Sequence, residues 1–441
     1  MLSKSRRLSL RNLLTALLVL QLVLLLWRVA RAPVKLLMVV PNNEIAAWQS
    51  VVTPFEAEHL KIRIGLVDSE ATGTNQSPTQ LQTANLPFST PDDRLAVYKA
   101  DLGNETATYD LVLMDVTWTA PFADDLVDLG ELVKRDNIAL SDFLDSEVEV
   151  GTYKQKLYRM PMYADVGLLF YRKDLTDEAA LPSTLDNLTR AIANIETNSS
   201  VDASYLWQGE SYEGLVVNFL EVLSSFGGYW IKDESVGPSV GLSEPAAKQA
   251  ASLMRELIRD SVSPPTVTSY TEQDSLQALE AGQGAFLRGW PGFLQSLEAQ
   301  FQGDQIAIAP PFSFGSAPAM GCRGGWGFGI PKNSRYKAEA WEAIKYLTSE
   351  PAQKRFVLAS NLLPTRRSLF EDPEIVEEFP LISELLGYLE SSDTFRPTIP
   401  QYQAASEILQ DALSRILVSD SISIEATMDA AQAETEALLR S

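Results

Sequence analysis

Leu157-Tyr158-Arg159-Met160-Pro161-Met162-Tyr163-Ala164-Asp165-Val166-Gly167-Leu168-Leu169-Phe170-Tyr171-Arg172 is the stretch on which the fold turns. It reads as a buried extended segment whose apolar character is interrupted by Tyr163 and Asp165. The strand period of two puts Tyr163, Asp165 and Gly167 on one face and Met162, Ala164, Val166 and Leu168 on the other. One face is therefore core. The other shows a phenol and a carboxylate beside a glycine, which leaves room for something to sit there. A buried carboxylate without a partner is costly, so Asp165 requires a hydrogen-bonding group supplied by the protein or by a ligand.

Around this stretch lie 441 residues, 45% of them hydrophobic and 21% charged, enough for two domains or one large one with ample core. Lys and Arg number 36 against 58 Asp and Glu, a net charge of -22 that repels nucleic acid and anionic membrane surfaces. Cysteine and histidine occur once each, as Cys322 and His59. A lone thiol makes no internal disulfide, and zinc sites or a Ser-His-Asp triad have almost nothing to draw on. His59 reads as a cap at a helix end and Cys322 as an inert small residue. No metal and no cofactor are expected.

Residues 1–34 stand apart. Lys4, Arg6, Arg7 and Arg11 form a basic start, followed by an uncharged, leucine-dominated run from Asn12 to Trp27. Such a segment is a signal peptide or an uncleaved signal anchor, and the basic flank places everything after it on the exported side. Ala30-Arg31-Ala32 has the small-x-small pattern of a cleavage site, but Pro33 follows at once, which favours an anchor retained in the membrane.

Beyond it, strand and helix patterns alternate. Lys35–Val40 and Leu60–Val67 read as strands flanking a helix from Ile45 to about Glu58, the start of a strand–helix–strand unit. Asp68–Thr90, mostly Thr, Ser, Asn, Gln, Gly and Pro, reads as a long surface loop. Asp92–Leu102 returns to helix, and Asp110–Asp115 is a buried strand ending in an acid. Ligands of open α/β sheets bind at the carboxyl ends of strands, so Asp115 stands where a ligand would, and it is equally suited to capping the next helical turn. Further helices are expected over 245–259 and 275–280, strands over 285–291 and 306–309, and helix almost throughout from Ala338, broken at Pro364 and Arg396-Pro397. The glycine-rich run 321–329 lacks the Lys-Ser/Thr of a phosphate loop and suits a backbone passing close to a ligand or another strand. The fold class is α/β.

Several strands and turns end in an acid, a tyrosine or a tryptophan: Glu44, Asp115, Tyr163, Asp165, Tyr212, Trp290 and Trp326. Carboxylates accept two hydroxyl hydrogen bonds at once and indole faces stack on the C–H faces of a pyranose, a combination that recognises sugars. At ~1.5–3 kcal/mol for each charge-assisted bond, three of them with two stacked rings reach the ~8 kcal/mol of a micromolar site.

The sequence resembles the periplasmic solute-binding proteins of ABC sugar importers, in their trehalose/maltose-binding branch. The resemblance covers nearly everything after residue 34. It rests on Pro41-Asn42-Asn43-Glu44-Ile45 with Trp48, Leu113-Met114-Asp115-Val116-Thr117-Trp118, and Tyr163-Ala164-Asp165-Val166-Gly167-Leu168-Leu169-Phe170-Tyr171-Arg172-Lys173-Asp174-Leu175. Trp207-Gln208-Gly209 with Tyr212-Glu213-Gly214-Leu215, Arg288-Gly289-Trp290-Pro291, Gly324-Gly325-Trp326 and Arg396-Pro397 complete it, all in the family's order.

The resemblance implies a two-lobed clamp of the class II periplasmic-binding-protein type, closing over its ligand and crossed three times by the chain. It implies one lobe from 35–162 and 310–360 and the other from 163–309 and 361–441. Motif by motif, Glu44, Arg94, Asp115, Tyr163, Asp165, Tyr212, Trp290, Gly325, Trp326 and Arg396 fall on sugar-contacting positions. Gly289 and Gly292 stand where Asn and Tyr are usual, leaving more space and fewer hydroxyl partners, so a smaller glycoside is expected. Trehalose, maltose, sucrose and glucosylglycerol define the ligand class. The expected partners are that glycoside and the ABC permease subunits, with the protein a monomer in the periplasm tethered through its N-terminal segment, without enzymatic activity. Two other readings use the same carboxylates: a membrane-anchored glycoside hydrolase, whose acids would flank one bond at ~5 or ~6.5–9.5 Å, and a lumenal glycosyltransferase, prompted by N-x-S/T at Asn75, Asn104, Asn187 and Asn198. An anchored sensor built on the same clamp is a third.

Overall fold

The computed structural model describes residues 32–68, 90–176, 181–182, 184–199, 204–232, 237–301, 305–318 and 320–440. Residues 1–31 of the expected signal or anchor segment and 69–89 of the expected loop lie outside the described residues, as does Asn75. Among the described residues no helix is long and apolar enough to cross a membrane.

Val34–Val40 (β1), Ile45–Glu58 (α1) and Ile62–Asp68 (β2) form the first unit, with β1 and β2 parallel. The second strand begins at Ile62 rather than Leu60, because Leu60 is 72% exposed and Ile62 is the first residue to pair, opposite Val34. Pro91–Leu102 (α2) starts on a capping box: Thr90 Oγ1 accepts from the Asp93 backbone N–H while an Asp93 carboxylate oxygen accepts from that of Thr90. Pro91 at its first position lacks only a donor that the helix start would leave unpaired. Val112–Asp115 (β3) joins β1 through a parallel bridge between Met38 and Leu111.

The stretch 157–172 is not one strand. Met160–Val166 (β4) and Leu168–Arg172 (β5) belong to different sheets, and the chain passes between them at Gly167. The second sheet takes Tyr205–Leu206 (β6), which leads to Glu213–Ser225 (α3), Pro245–Arg259 (α4) and Glu272–Glu280 (α5). Phe286–Gly289 (β7), Leu294–Gln300 (α6) and Ile306–Ala309 (β8) follow, and the sheet order is β8-β5-β7-β6. The glycine-rich run is then a full strand, Arg323–Gly329 (β9), antiparallel to both β3 and β4. After Lys337–Leu347 (α7) and Glu350–Ser360 (α8), Leu363–Pro364 (β10) closes the first sheet in the order β10-β4-β9-β3. Ile382–Ser391 (α9), Tyr402–Val418 (α10) and Ile424–Leu439 (α11) complete the chain.

Each sheet has its own core. Trp48, Phe55, Met114, Phe328 and Trp341 lie in the first, and Leu215, Phe219, Met254, Leu409 and Leu413 in the second. A third cluster joins them, with Ala164 and Val166 of β4 and Leu168 and Phe170 of β5 packed against Phe370, Ile375 and Leu385. The face of β4 assigned to core by its period is thus buried against the segment that follows β10.

The chain crosses between sheets where side chains would not fit. A Cβ on Gly167 would stand 1.9 Å from Glu221 Oε1, and one on Gly321 would stand 2.0 Å from the Gly167 carbonyl oxygen. The room beside Asp165 that the sequence suggested for a ligand is therefore filled by the Glu221 carboxylate. Gly167 N–H donates to the Cys322 carbonyl at 3.1 Å, Arg323 N–H to Thr394 O at 2.9 Å, and Ser392 Oγ to Gly321 O at 2.5 Å. Three segments of chain lie side by side here, tied by two backbone hydrogen bonds and one from the Ser392 hydroxyl.

Candidate functional site

A cavity of about 720 Å³ opens beside these crossings. Glu44, Arg94, Asp115, Tyr163 and Asp165 line it, together with Trp290, Gly325, Trp326 and Arg396. Of the residues singled out from sequence only Tyr212 stays off its wall, because its hydroxyl donates to Glu272 Oε2 at 2.5 Å, and Glu272 is the lining residue instead. Glu272, Gln273 and Glu213 were not among the expected site residues. Glu213 belonged to a quoted motif, but Glu272 and Gln273 sit on an ordinary amphipathic helix with no local signal.

Glu44 stands at the entry to α1, where the Trp48 indole N–H reaches Oε2 at 3.0 Å and the Tyr163 hydroxyl reaches Oε1 at 3.1 Å. Burial raises its carboxyl above the usual range, partly offset by the Arg94 charge and by these two bonds. Arg94 emerges from α2 with its guanidinium 3.8 Å over the Trp326 ring. It is buried, and its Nε and Nη1 have no hydrogen-bond acceptor. Trp326 is held edge-on by Trp118, ring centroids 5.3 Å apart.

Asp165 is 8% exposed and its Oδ1 has no hydrogen-bond partner. Burial and then the nearby charges of Glu44, Glu147 and Asp115 hold its carboxyl well above the usual carboxylate range, with Arg288 opposing them. Tyr163 and Asp165 thus reach the cavity from one face of β4, as the period of two required. Gly325 lies opposite on β9 with φ at 146°, where a Cβ would stand 2.9 Å from both Glu147 Oε2 and Tyr163 O. Only glycine serves at that position. Beneath it Glu147 and the fully buried Arg159 form an ion pair at 3.0 Å.

Asp115 caps the turn after β3, its Oδ1 accepting from the Thr117 N–H at 2.9 Å, and its Oδ2 on the cavity wall accepts from Arg396 Nη2 at 3.1 Å. Arg396 Nη1 donates to Glu213 Oε1, also at 3.1 Å, and its Nε is buried without a partner. On the opposite wall Trp290 carries the Arg288 guanidinium 4.0 Å over its ring, and Arg288 is clamped by Glu221 through Nε at 3.0 Å and Nη2 at 2.6 Å. The space expected above Gly289 is occupied: a Cβ there would stand 2.5 Å from the Phe293 ring. Gly292 does line the cavity.

A second cavity of about 420 Å³ shares Pro91, Asp115 and Glu213 with the first. Its polar side chains satisfy one another, with Lys99 donating to Gln403, Gln403 to Glu407 and Gln410 to Ser406. The first cavity is different in kind, because it presents a buried acceptor at Asp165 and buried donors at Arg94 and Arg396 that the protein leaves unmet. Groups of that sort are rare unless something binds them.

His59 and Cys322 take no part in the wall. His59 caps α1 through its N–H to Phe55 O at 2.8 Å, and Cys322 is a buried free thiol pushed up to about 12 by its burial. Among the described residues no group of three or more His, Cys, Asp or Glu side chains is placed to hold a metal ion.

A profile of the bacterial extracellular solute-binding protein family matches residues 41–354. A probable ABC transporter-binding protein of Deinococcus radiodurans is 29% identical over 344 residues, covering 75% of this chain and 80% of the relative. Among solved structures, the maltose-bound MalE3 of T. maritima has a TM-score of 0.81 at 27% identity, covering 92% of this chain and 100% of that one. The GacH receptor of Streptomyces glaucescens shares the fold, with a TM-score of 0.76 at 22% identity over 92% of this chain and 98% of its own.

Proposed function

Since the chain belongs to the bacterial extracellular solute-binding protein family, we propose that it captures a small neutral glycoside between two lobes and presents it to the membrane subunits of an ABC importer. Proteins of this family bind and deliver a solute and are not enzymes, so the hydrolase and glycosyltransferase readings of the same carboxylates are set aside. The lobes of this proposal follow the two sheets, with the chain changing over at Gly167, between β8 and β9, and between β10 and α10, in a monomer that works on the outer side of the cytoplasmic membrane, tethered by residues 1–34.

One observation carries the reading: Asp165 Oδ1 and Arg94 Nε and Nη1 are buried without partners on the wall of one cavity that also carries Trp290 and Trp326. A ring with hydroxyls on its edge and C–H groups on its faces satisfies all four at once. The trehalose, maltose, sucrose or glucosylglycerol class has this form, and the maltose bound to the T. maritima neighbour is of this size. Glu44, Tyr163, Gly325 and Arg396 complete the proposed contact set, with Asp115 and Tyr212 acting through Arg396 and Glu272.

Capture involves no bond-making. A ligand touching Trp326 and Arg94 on one side and Trp290 on the other favours the closed clamp by its differential affinity for that state, and the permease reads the closed state. A thermal-shift screen of the purified protein against these four sugars tests it. At a hundredfold excess over Kd a ligand stabilises by roughly 2.7 kcal/mol, so at least one sugar raises the melting temperature by several degrees. No rise with any of them overturns the reading.

A further inference from the structure

Trp290 follows β7 and lines the cavity, and the protein restrains its indole in three places. The Arg288 guanidinium covers one face, 4.0 Å from the ring centroid. Nε1 donates to Glu272 Oε1 on α5 at 3.4 Å. The benzo edge lies against Gly324 of β9, where a Cβ would stand 3.4 Å from Cζ3. Arg288 itself lies off the cavity wall, so the face it covers is turned away from the cavity and the opposite face is the one left open.

Arg288 differs in kind from Arg94, which stacks on Trp326. Arg94 is on the cavity wall with Nε and Nη1 unpartnered, free to meet a ligand. Arg288 has every nitrogen engaged: Nε donates to Glu221 Oε2 at 3.0 Å, Nη2 to Glu221 Oε1 at 2.6 Å and Nη1 to Gln208 Oε1 at 3.5 Å. Arg288 is 1% and Glu221 6% exposed, and a two-pronged guanidinium–carboxylate contact so far from water fixes direction as well as distance. Gln208 adds to the constraint. Its Nε2 donates to the Arg288 carbonyl at 3.0 Å and to Ser275 Oγ on α5 at 2.8 Å, so one buried network holds both the strand that delivers the indole and the helix that carries the acceptor of its N–H. Glu221 Oε1 also accepts from the Cys322 backbone N–H at 2.9 Å, which ties the network to the chain just before β9.

We infer that Glu221 and Arg288 are positioning residues for ligand capture: from the side away from the cavity, the pair sets the angle at which Trp290 presents its open face and fixes that angle to the passage of chain that enters β9. The inference rests on the glycoside reading and deepens it. Neither residue touches the bound ring, and their effect on affinity passes through Trp290. Apolar side chains of equal volume often fill the place of a buried ion pair with no loss of stability, so what this pair supplies is orientation.

Two measurements on the full chain test this. With 5-fluorotryptophan incorporated and no sugar added, the fluorine resonance of Trp290, assigned by its loss in Trp290→Phe, shifts or broadens in Arg288→Lys, which keeps a charge but loses the fork, while the resonances of the other tryptophans hold their positions. Calorimetry with maltose, trehalose, sucrose and glucosylglycerol then takes the tightest of the four as the probe. Arg288→Lys weakens its binding about tenfold. The same change weakens it by less than about twofold when Trp290→Ala is already present, because a residue that acts through Trp290 has nothing left to act on. Glu221→Gln combined with Arg288→Met leaves no unpaired charge in the interior; it gives the same results and serves where the single variant does not fold. An unmoved Trp290 resonance, an unchanged affinity, or an equal loss with and without Trp290 each overturns the positioning role and leaves the glycoside reading standing. Binding of none of the four sugars overturns both.

Discussion

Gly167 lies directly against Glu221, so that a Cβ on the glycine would stand 1.9 Å from Glu221 Oε1. The same oxygen accepts from Arg288 Nη2 at 2.6 Å and from the Cys322 backbone N–H at 2.9 Å. One buried carboxylate therefore ties α3 to β7 and to the chain just before β9, at the point where the chain first passes between the sheets. Arg288 in turn lies under Trp290, so the geometry of the crossing reaches the cavity wall.

Gly167→Ala forces this carboxylate aside. Overpacking costs ~1–3 kcal/mol and disturbing a buried ion pair adds to it, so a loss of about 3 kcal/mol or more is expected in urea unfolding. Gly387→Ala is the contrast: it lies within α9 with nothing within 4 Å of a new Cβ, and relief of the glycine penalty gains ~0.5–1 kcal/mol. Equal effects of the two substitutions would show that the crossing is not sterically constrained.

Trp290→Ala removes a stacking face and the donor to Glu272 while leaving the second core in place. Glycoside affinity measured by calorimetry falls more than tenfold, about 1.4 kcal/mol or more, with the circular dichroism spectrum unchanged. An unaltered affinity would remove Trp290 from the contact set.

Arg396→Met leaves Asp115 and Glu213 as buried carboxylates without their shared cation. Breaking a buried pair from one side costs ~3–5 kcal/mol, and the urea midpoint should fall accordingly. Adding Asp115→Asn to Arg396→Met recovers part of the loss, because one of the uncompensated charges is gone. No recovery in the double variant would mean that the loss is one of packing alone.

Asp92 accepts from the Glu213 backbone N–H at 3.3 Å, and burial followed by the Glu213 charge raises its carboxyl from 3.8 to about 7, with Asp93 and Asp115 adding to the effect. A folded-state value above the unfolded one means that the folded protein holds this proton more tightly, so the group's contribution to stability declines as pH rises from about 3.8 to about 7 and is level above that. Asp92→Asn keeps an oxygen for the Glu213 N–H and cannot ionise. Its melting temperature relative to the parent protein should therefore climb between pH 4 and 7 and then hold constant to pH 8. A difference that stays flat from pH 4 to 8 would exclude this titration.

Much of this was legible along the chain. The period of two in 160–166 assigned the faces of β4 correctly, because alternation across a strand is a local property of the backbone. Asp115 at a strand end and the glycine run around Trp326 were placed by similarly local chemistry. Family motifs brought Glu44, Arg94, Trp290 and Arg396 to one cavity wall although 352 positions separate Glu44 from Arg396.

The alternating α/β pattern, the acidic, cysteine-poor composition that rules out whole classes of catalyst, and the residue types a sugar cleft needs can all be read along the chain. Which of those groups are already satisfied follows only from how the folded chain packs. Glu221 fills the space beside Gly167, Phe293 fills the space above Gly289, and Tyr212 spends its hydroxyl on Glu272, whereas Asp165, Arg94 and Gln273 are left unmet. Hydrogen-bond satisfaction and steric occupancy depend on neighbours far apart in the chain, so no local pattern encodes them. The break at Gly167 has the same origin, for a run of apolar residues looks identical whether it feeds one sheet or two.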